Sequence, residues 1–306
     1  MNKEAKTHCL GRYLIDLPAS AKVTTRYVYS RGKIATRVDV SPEGYAKLLS
    51  EQEDALKAAR HDDGGSMLVD RVEFAPGKVS LISWKSPHSR ILYQYRYFAY
   101  LPERRVLFLL EGEGSAKAEA RARADKAGGE LVTELLRYRE GDEVPKSPGY
   151  CFDHGLVADN ALNQEEFTAN IKLKEYPSVT LTLMSYVTGK PDRELLQRAS
   201  RIPPGFERAV AHMKTLRRGD RNIGPVKGQE LLVRADAEGK RSYHFLWESQ
   251  GRANSLEFPF MSLQLSTTDE TDARGEVIDA PFESDEEALE LWDSILTTLR
   301  LRPGAV

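Results

Sequence analysis

Along the first half of the chain, apolar positions alternate before they take up helical spacing. Cys9-Leu10-Gly11-Arg12-Tyr13-Leu14-Ile15-Asp16-Leu17 reads as one opening strand, stopped by Pro18. Lys22–Tyr29 and Lys33–Val40 read as two more, turning at Ser30-Arg31-Gly32. Ile34, Val38 and Val40 fall at period two, the spacing of a sheet with one face on a core. At Ser41-Pro42 the period changes: serine suits a helix cap and proline its first turn. Tyr45, Leu48, Leu49, Gln52 and Leu56 then form one helical stripe, which the spacing carries to a glycine stop near Asp63-Gly64-Gly65. Strands follow at Leu68–Phe74, Lys78–Trp84, Arg90–Tyr100 and Arg105–Leu110, with turns at Pro76-Gly77 and Pro102-Glu103-Arg104. Val106–Leu110 is apolar on both faces and reads as a central strand. A helical stretch from Ala116 to Arg139, weakened at Gly128-Gly129, closes the half.

The second half repeats this order. Tyr150-Cys151-Phe152 opens it, and Val179, Leu181 and Leu183 alternate with Thr180 and Thr182 in a strand. Asp192–Met213 is helical in spacing, broken at Pro203-Pro204-Gly205. Strands are predicted over Gly228–Ala235, Arg241–Ser249 and Ser255–Ser266, and a last helix from about Asp285 to Leu301. Ser284 with Glu287 makes that helix's capping box. The halves end alike, Leu136-Arg137-Tyr138-Arg139 against Leu299-Arg300-Leu301-Arg302. The fold class expected is α+β: two similar lobes from an internal duplication, each a mostly antiparallel sheet covered by helices. The lobes are residues 1–140 and 149–306, joined by the polar, proline-bearing linker 141–148.

Composition narrows the function by exclusion. The 306 residues are 41 % apolar and 29 % charged, so the chain is globular rather than disordered. Net charge is −2, without the basic excess of a general nucleic-acid binder. No apolar run approaches the ~18 residues of a membrane helix. Met1–His8 is polar, so the sequence as written predicts a cytoplasmic protein, unless Met1 replaces a removed signal peptide.

Catalytic and cofactor signals are nearly absent. There is no Gly-x-Ser-x-Gly elbow, and Gly112-Glu113-Gly114-Ser115 lacks the Gly-Lys-Ser/Thr of a phosphate loop; it reads as a strand-to-helix turn. The histidines are scattered and His61-Asp62-Asp63 reads as a polar helix end, so no metal site and no cofactor are expected. In Cys151-Phe152-Asp153-His154 the thiol and imidazole point to opposite faces of a strand, a poor nucleophile–base pair; a disulfide or a buried thiol is the better reading of Cys151. Tyr93, Tyr95 and Tyr97 share one strand face, the pattern of a half-buried core face. Lys190–Arg221 is basic without interleaved aromatics and so is not read as nucleic-acid binding.

The phrase Cys9-Leu10-Gly11-Arg12, followed by an apolar strand ending in Leu17-Pro18, resembles the opening of the type VI secretion immunity proteins that protect bacteria from class-four lipase effectors. Gly149-Tyr150-Cys151-Phe152 resembles the start of that family's C-terminal domain. The resemblance implies a periplasmic, non-enzymatic inhibitor. Its partner would be a cognate lipase effector of the α/β-hydrolase type, gripped by both lobes so that its lipid-access region stays closed. An oxidising compartment, with Cys9 and Cys151 at equivalent places in the two lobes, then predicts a Cys9–Cys151 disulfide. For the gripping surface the sequence offers two stretches. One is the acidic loop with Asp269, Glu270 and Asp272. The other is the Pro203-Pro204-Gly205 break, where Phe206 is either an exposed anchor or the first core residue of a resumed helix. The alternative function is a small-molecule or lipid-binding protein using the inter-lobe cleft.

Overall fold

The computed structural model describes residues 5–200, 213–237, 240–267 and 281–306. They form two compact units. One comprises residues 26–141 and 149–159; the other comprises 1–25, 142–148 and 160–306. The protein is α+β and rich in sheet.

In the first unit, β3 (Lys22–Tyr29) and β4 (Gly32–Arg37) form a hairpin. Its turn is tight because Ser30 and Arg31 both take positive φ, 51° and 67°. Helix α1 (Pro42–Ala58) follows, its cap as predicted: Ser41 Oγ accepts from the Gly44 amide at 3.0 Å. The antiparallel meander β5 (Leu68–Ala75), β6 (Lys78–Trp84), β7 (Leu92–Leu101) and β8 (Val106–Ser115) returns β8 beside β4. Leu49 of α1 packs with Val79, Leu81, Phe98, Tyr100 and Leu107 on one face of this sheet. On the other face, α2 (Ala118–Glu130) comes so close that a Cβ on Gly128 would stand 2.2 Å from Tyr97 Oη. A π turn over Leu131–Leu135 ends the helix, and β9 (Leu136–Tyr138) joins the hairpin of β10 (Tyr150–Phe152) and β11 (Gly155–Val157) in the order β10-β11-β9.

The second unit runs through the same order of elements. A hairpin of β12 (Glu165–Leu173) and β13 (Tyr176–Tyr186) is followed by α3 (Leu195–Ala199). The meander β14 (Met213–Asp220), β15 (Gln229–Ala237), β16 (Lys240–Ser249) and β17 (Phe260–Thr267) returns β17 beside β13. Helix α4 (Asp285–Leu296) buries Leu291, Trp292, Ile295 and Leu296, and β18 (Arg300–Leu301) completes a small sheet with β1 (Ala5–Leu10) and β2 (Tyr13–Pro18).

Several expectations change. The single opening strand is a hairpin, because Gly11 at φ 58° lets the chain reverse between Leu10 and Tyr13. β4 stops at Arg37, where Asp39 takes a left-handed φ of 57° and Val38 faces solvent. α1 ends at Ala58, short of the glycines, its Ala59 cap already extended. The two Leu-Arg segments read as helix ends are strands, each paired to a hairpin. Helix accounts for only Leu195–Ala199 of the described part of Asp192–Met213, and Met213 opens β14. The hairpin at the start of each half belongs to the unit that holds the rest of the other half.

Candidate functional site

Buried polar anchors hold both hairpins in place. At the turn of β1–β2, Arg12 donates to both Glu165 oxygens, from Nε at 2.8 Å and from Nη2 at 2.6 Å, and to the Ala305 carbonyl at 2.5 Å. Arg302 is fully buried and donates to the carbonyls of Pro145 and Ser147, pinning the linker segment. Arg139, its counterpart at the end of the first half, donates to the carbonyls of Phe152 and Gly155 in β10–β11. The Arg after each Leu-Arg segment is therefore a buried anchor on backbone carbonyls, those of the β10–β11 hairpin for Arg139 and those of the linker segment for Arg302.

Cys9 and Cys151 lie on β1 and β10, both buried, and neither is a free thiol. A sulfur held in a disulfide is no nucleophile, and His154 sits at the β10–β11 turn with φ 56°. Phe206, Asp269, Glu270 and Asp272 fall outside the described residues. In the described part of the basic stretch, Arg217 and Arg221 bind Asp293 at 2.7 and 2.9 Å, and Lys214 binds Asp285 at 3.0 Å. The Arg217 bond holds the Asp293 carboxyl below its ordinary range. Burial pushes Asp285 up, but hydrogen bonds from Lys214, Arg234 and Tyr243 outweigh it and hold it low. His61 stacks on Trp84 and binds the Ser89 carbonyl at 2.8 Å. Burial lowers its basicity, while Ser89 and Asp63 raise it further. No group of side chains suited to a metal occurs among the described residues.

Tyr93, Tyr95 and Tyr97 are core residues of the first unit, as their spacing indicated. Beside them lies the concave region that the sequence reading missed. An open cleft of about 450 Å³ is lined by Arg31, Lys33, Gln94, Glu111 and Glu113, and a smaller cavity of about 150 Å³ lies between Gly112 and α2. They share Glu111, Gly112 and Glu113, the end of β8. The glycines at positions 112 and 114 were the available signal, since a glycine inside a strand marks a bulge or a close approach of another backbone.

The open cleft at the end of β8 gives the fold a concave, charged surface of the kind that binding proteins use. The chain belongs to the family of Tle cognate immunity protein 4: the family's N-terminal domain matches residues 6–137 and its C-terminal domain residues 143–304. Among solved structures it is similar to a chain of the Tle4–Tli4 complex, at 30 % identity and a TM-score of 0.89 over 99 % of both chains. It is also similar to the apo immunity protein TplEi of the type VI secretion system of Pseudomonas aeruginosa. There the identity is 30 % and the TM-score 0.86, over 98 % of this chain and 97 % of that one. The same TplEi complexed with an "L" peptide matches at 28 % identity with a TM-score of 0.81, over 98 % of each chain. No curated protein sequence matches the chain.

Proposed function

We propose that this immunity protein binds a cognate type VI secreted lipase effector, grips it with both lobes and blocks substrate access, acting in the periplasm without turnover of its own. One observation carries the reading: both family domains match, and the fold follows that of a chain in the Tle4–Tli4 complex over 99 % of its length. The involvement of a disulfide at each cysteine supports an oxidising compartment and a Cys9–Cys151 bridge, the pairing open to a chain with two cysteines. A grip by two surfaces gains affinity because the second contact is intramolecular, by ~10²–10⁴. Phe206, Asp269, Glu270 and Asp272 are proposed contacts, the acidic groups serving mainly to speed encounter. The repeated order of hairpin, helix, meander, helix and short strand supports a duplicated ancestor.

The test is growth. A lipase effector exported to the periplasm of a susceptible bacterium should arrest it, coexpression of this chain with a leader should restore growth, and the two should copurify. Arrest that the chain does not relieve, with no complex recovered, would refute the reading.

A further inference from the structure

Strand β8 outruns its neighbour. β4 pairs with it from Leu107 to Glu111, whereas β7 stays paired as far as Ser115. β4 is cut short by the tight Ser30-Arg31 turn, so from Gly112 to Ser115 one side of β8 has no strand partner among the described residues. Four residues of open edge span about 13 Å at ~3.3 Å per residue. Unpaired backbone N–H and C=O groups on such an edge template an added strand.

The two faces of this edge differ. On one face Gly112 carries no side chain, and Tyr95, directly opposite it, lays its ring over Gly114, where a Cβ would stand 2.6 Å from that ring. The 150 Å³ cavity lies there, closed by Ala124, Ala127 and Gly128 of α2. Tyr95 is only 2 % exposed, and its hydroxyl, buried at this cavity, has no hydrogen-bond partner among the described residues. Buried polar groups are ordinarily paired, so this one is open to a partner from outside. On the opposite face, Glu111 and Glu113 are matched by Arg96 at 3.4 Å and Lys85 at 2.7 Å. Lys33, directly opposite Glu111 in the ladder, adds a positive charge to the cleft wall.

A strand laid on this edge would send successive side chains alternately into the cavity and over the cleft. We propose that an extended segment of the lipase effector adds to β8 at Gly112–Ser115. Its cavity-facing side chain is small and hydrogen-bonding (Ser, Thr or Asn) and meets Tyr95 Oη, and its cleft-facing neighbours are acidic and meet Lys33. The inference rests on the effector-binding reading above and names one of its contacts. The main-chain ladder supplies affinity, the two faces supply selectivity, and the remainder of the ~800 Å² that a stable interface needs per partner lies elsewhere.

The test uses the full chain and an inactivated cognate effector. A Cβ on Gly112 would meet only the Gly32 Cα, at 4.0 Å, so Gly112→Val is tolerated by the fold yet fills the face where the new strand lies. Gly112→Val should keep the thermal midpoint and weaken effector binding at least tenfold. Tyr95→Phe should weaken it several-fold, and Lys33→Glu should weaken it while flattening its salt dependence. Hydrogen exchange should show the amides of Glu113 and Ser115, which point to the open edge, newly protected in the complex. Wild-type affinity in Gly112→Val, or no new protection of those amides, would overturn the proposal while leaving the effector-binding reading intact. So would an effect of Gly112→Val confined to self-association, which would make the occupant a second copy of the chain. Should Gly112→Val misfold, Tyr95→Phe and the exchange measurement decide. A wild-type chain that binds no effector would overturn both readings.

Discussion

Replacing Arg12 by alanine should loosen the N-terminal hairpin from the rest of the second unit. The guanidinium and the Glu165 carboxylate are exposed by only 2 % and 5 %, and their two hydrogen bonds are 2.8 and 2.6 Å long. Removing one partner of such a pair leaves a buried charge without its counter-ion and costs ~3–5 kcal/mol, more than the pair contributes over an apolar isostere. The Ala305 carbonyl loses its donor as well. A domain's stability is about 5–15 kcal/mol, so Arg12→Ala should remove a large fraction of it.

Trp247 and Trp292 are fully buried in the same unit and Trp84 lies in the other, so tryptophan fluorescence in a Trp84→Phe background reports the unfolding of the second unit. Urea titration should show the midpoint falling in Arg12→Ala and in Glu165→Ala. The double change Arg12→Met, Glu165→Met should recover most of the loss, because it leaves no unpaired charge. In a double-mutant cycle the two alanine changes should couple strongly. A loss below about 1 kcal/mol in Arg12→Ala, or simple additivity of the two single changes, would show that the hairpin is held by its ladder and apolar packing instead.

Reduction, or Cys9→Ser with Cys151→Ser, should lower stability by at most ~5 kcal/mol, the chain-entropy figure for a loop of about 140 residues, and native protein should take up no thiol label before reduction; two labelled thiols would exclude the bridge. Acid should destabilise the second unit. Asp285 and Asp293 titrate below their ordinary range, so their contribution is complete above the unfolded carboxylate value near ~4 and is lost as pH falls through the folded value; thermal midpoints from pH 7 to 3 should drop less steeply in Asp285→Asn, Asp293→Asn. Gly128→Ala, whose Cβ would press on Tyr97, should cost ~1–3 kcal/mol by chemical denaturation. Residues 1–145 and 146–306 expressed apart should each be poorly folded by circular dichroism and should neutralise the effector less well than the intact chain.

Local chemistry was legible in the sequence; exchange between the halves was not. The Ser41 cap and the Ser284 box formed as read, with Ser284 Oγ accepting from the Glu287 amide and Glu287 from the Glu283 amide. Both depend on residues within one turn of a helix. The meander β5 to β8 was equally plain, because its strands alternate and its turns carry proline or glycine. β12 was overlooked although Phe167, Ala169, Ile171 and Leu173 are all buried at period two. β14 had no such signal: its side chains are mostly exposed, Arg217 pairs with Glu230 and Asp293, and Arg218 donates to the Leu196 carbonyl. The β8 edge was hidden for another reason. Gly112 and Gly114 suggest a turn when read along the chain, and only the early end of β4 shows that the strand continues without a neighbour.

The crossing of the hairpins follows from how the short strands at the end of each half are paired. Each half begins with a hairpin and ends with a short strand, so a half standing alone would pair its own two ends. Instead β9 pairs with β11, just beyond it in the chain, and β18 pairs with β2, near the opposite end. The consequences are unequal. The first unit closes locally, with Tyr27 and Thr36 bonded to Asp153 and Tyr29 to Asp159. The second unit closes only when both ends of the chain meet, through Arg302 to the Arg12 carbonyl and Arg300 to Asp16. Closing so long a loop costs entropy before any contact repays it. That is a physical reason for the density of anchors there: the Arg12–Glu165 pair, the Ala305 carbonyl and the buried Arg302 on Pro145 and Ser147. Residues 142–148 thus cluster with the second unit, as does the β1–β2 hairpin, and that unit is complete only when segments from three parts of the chain have met.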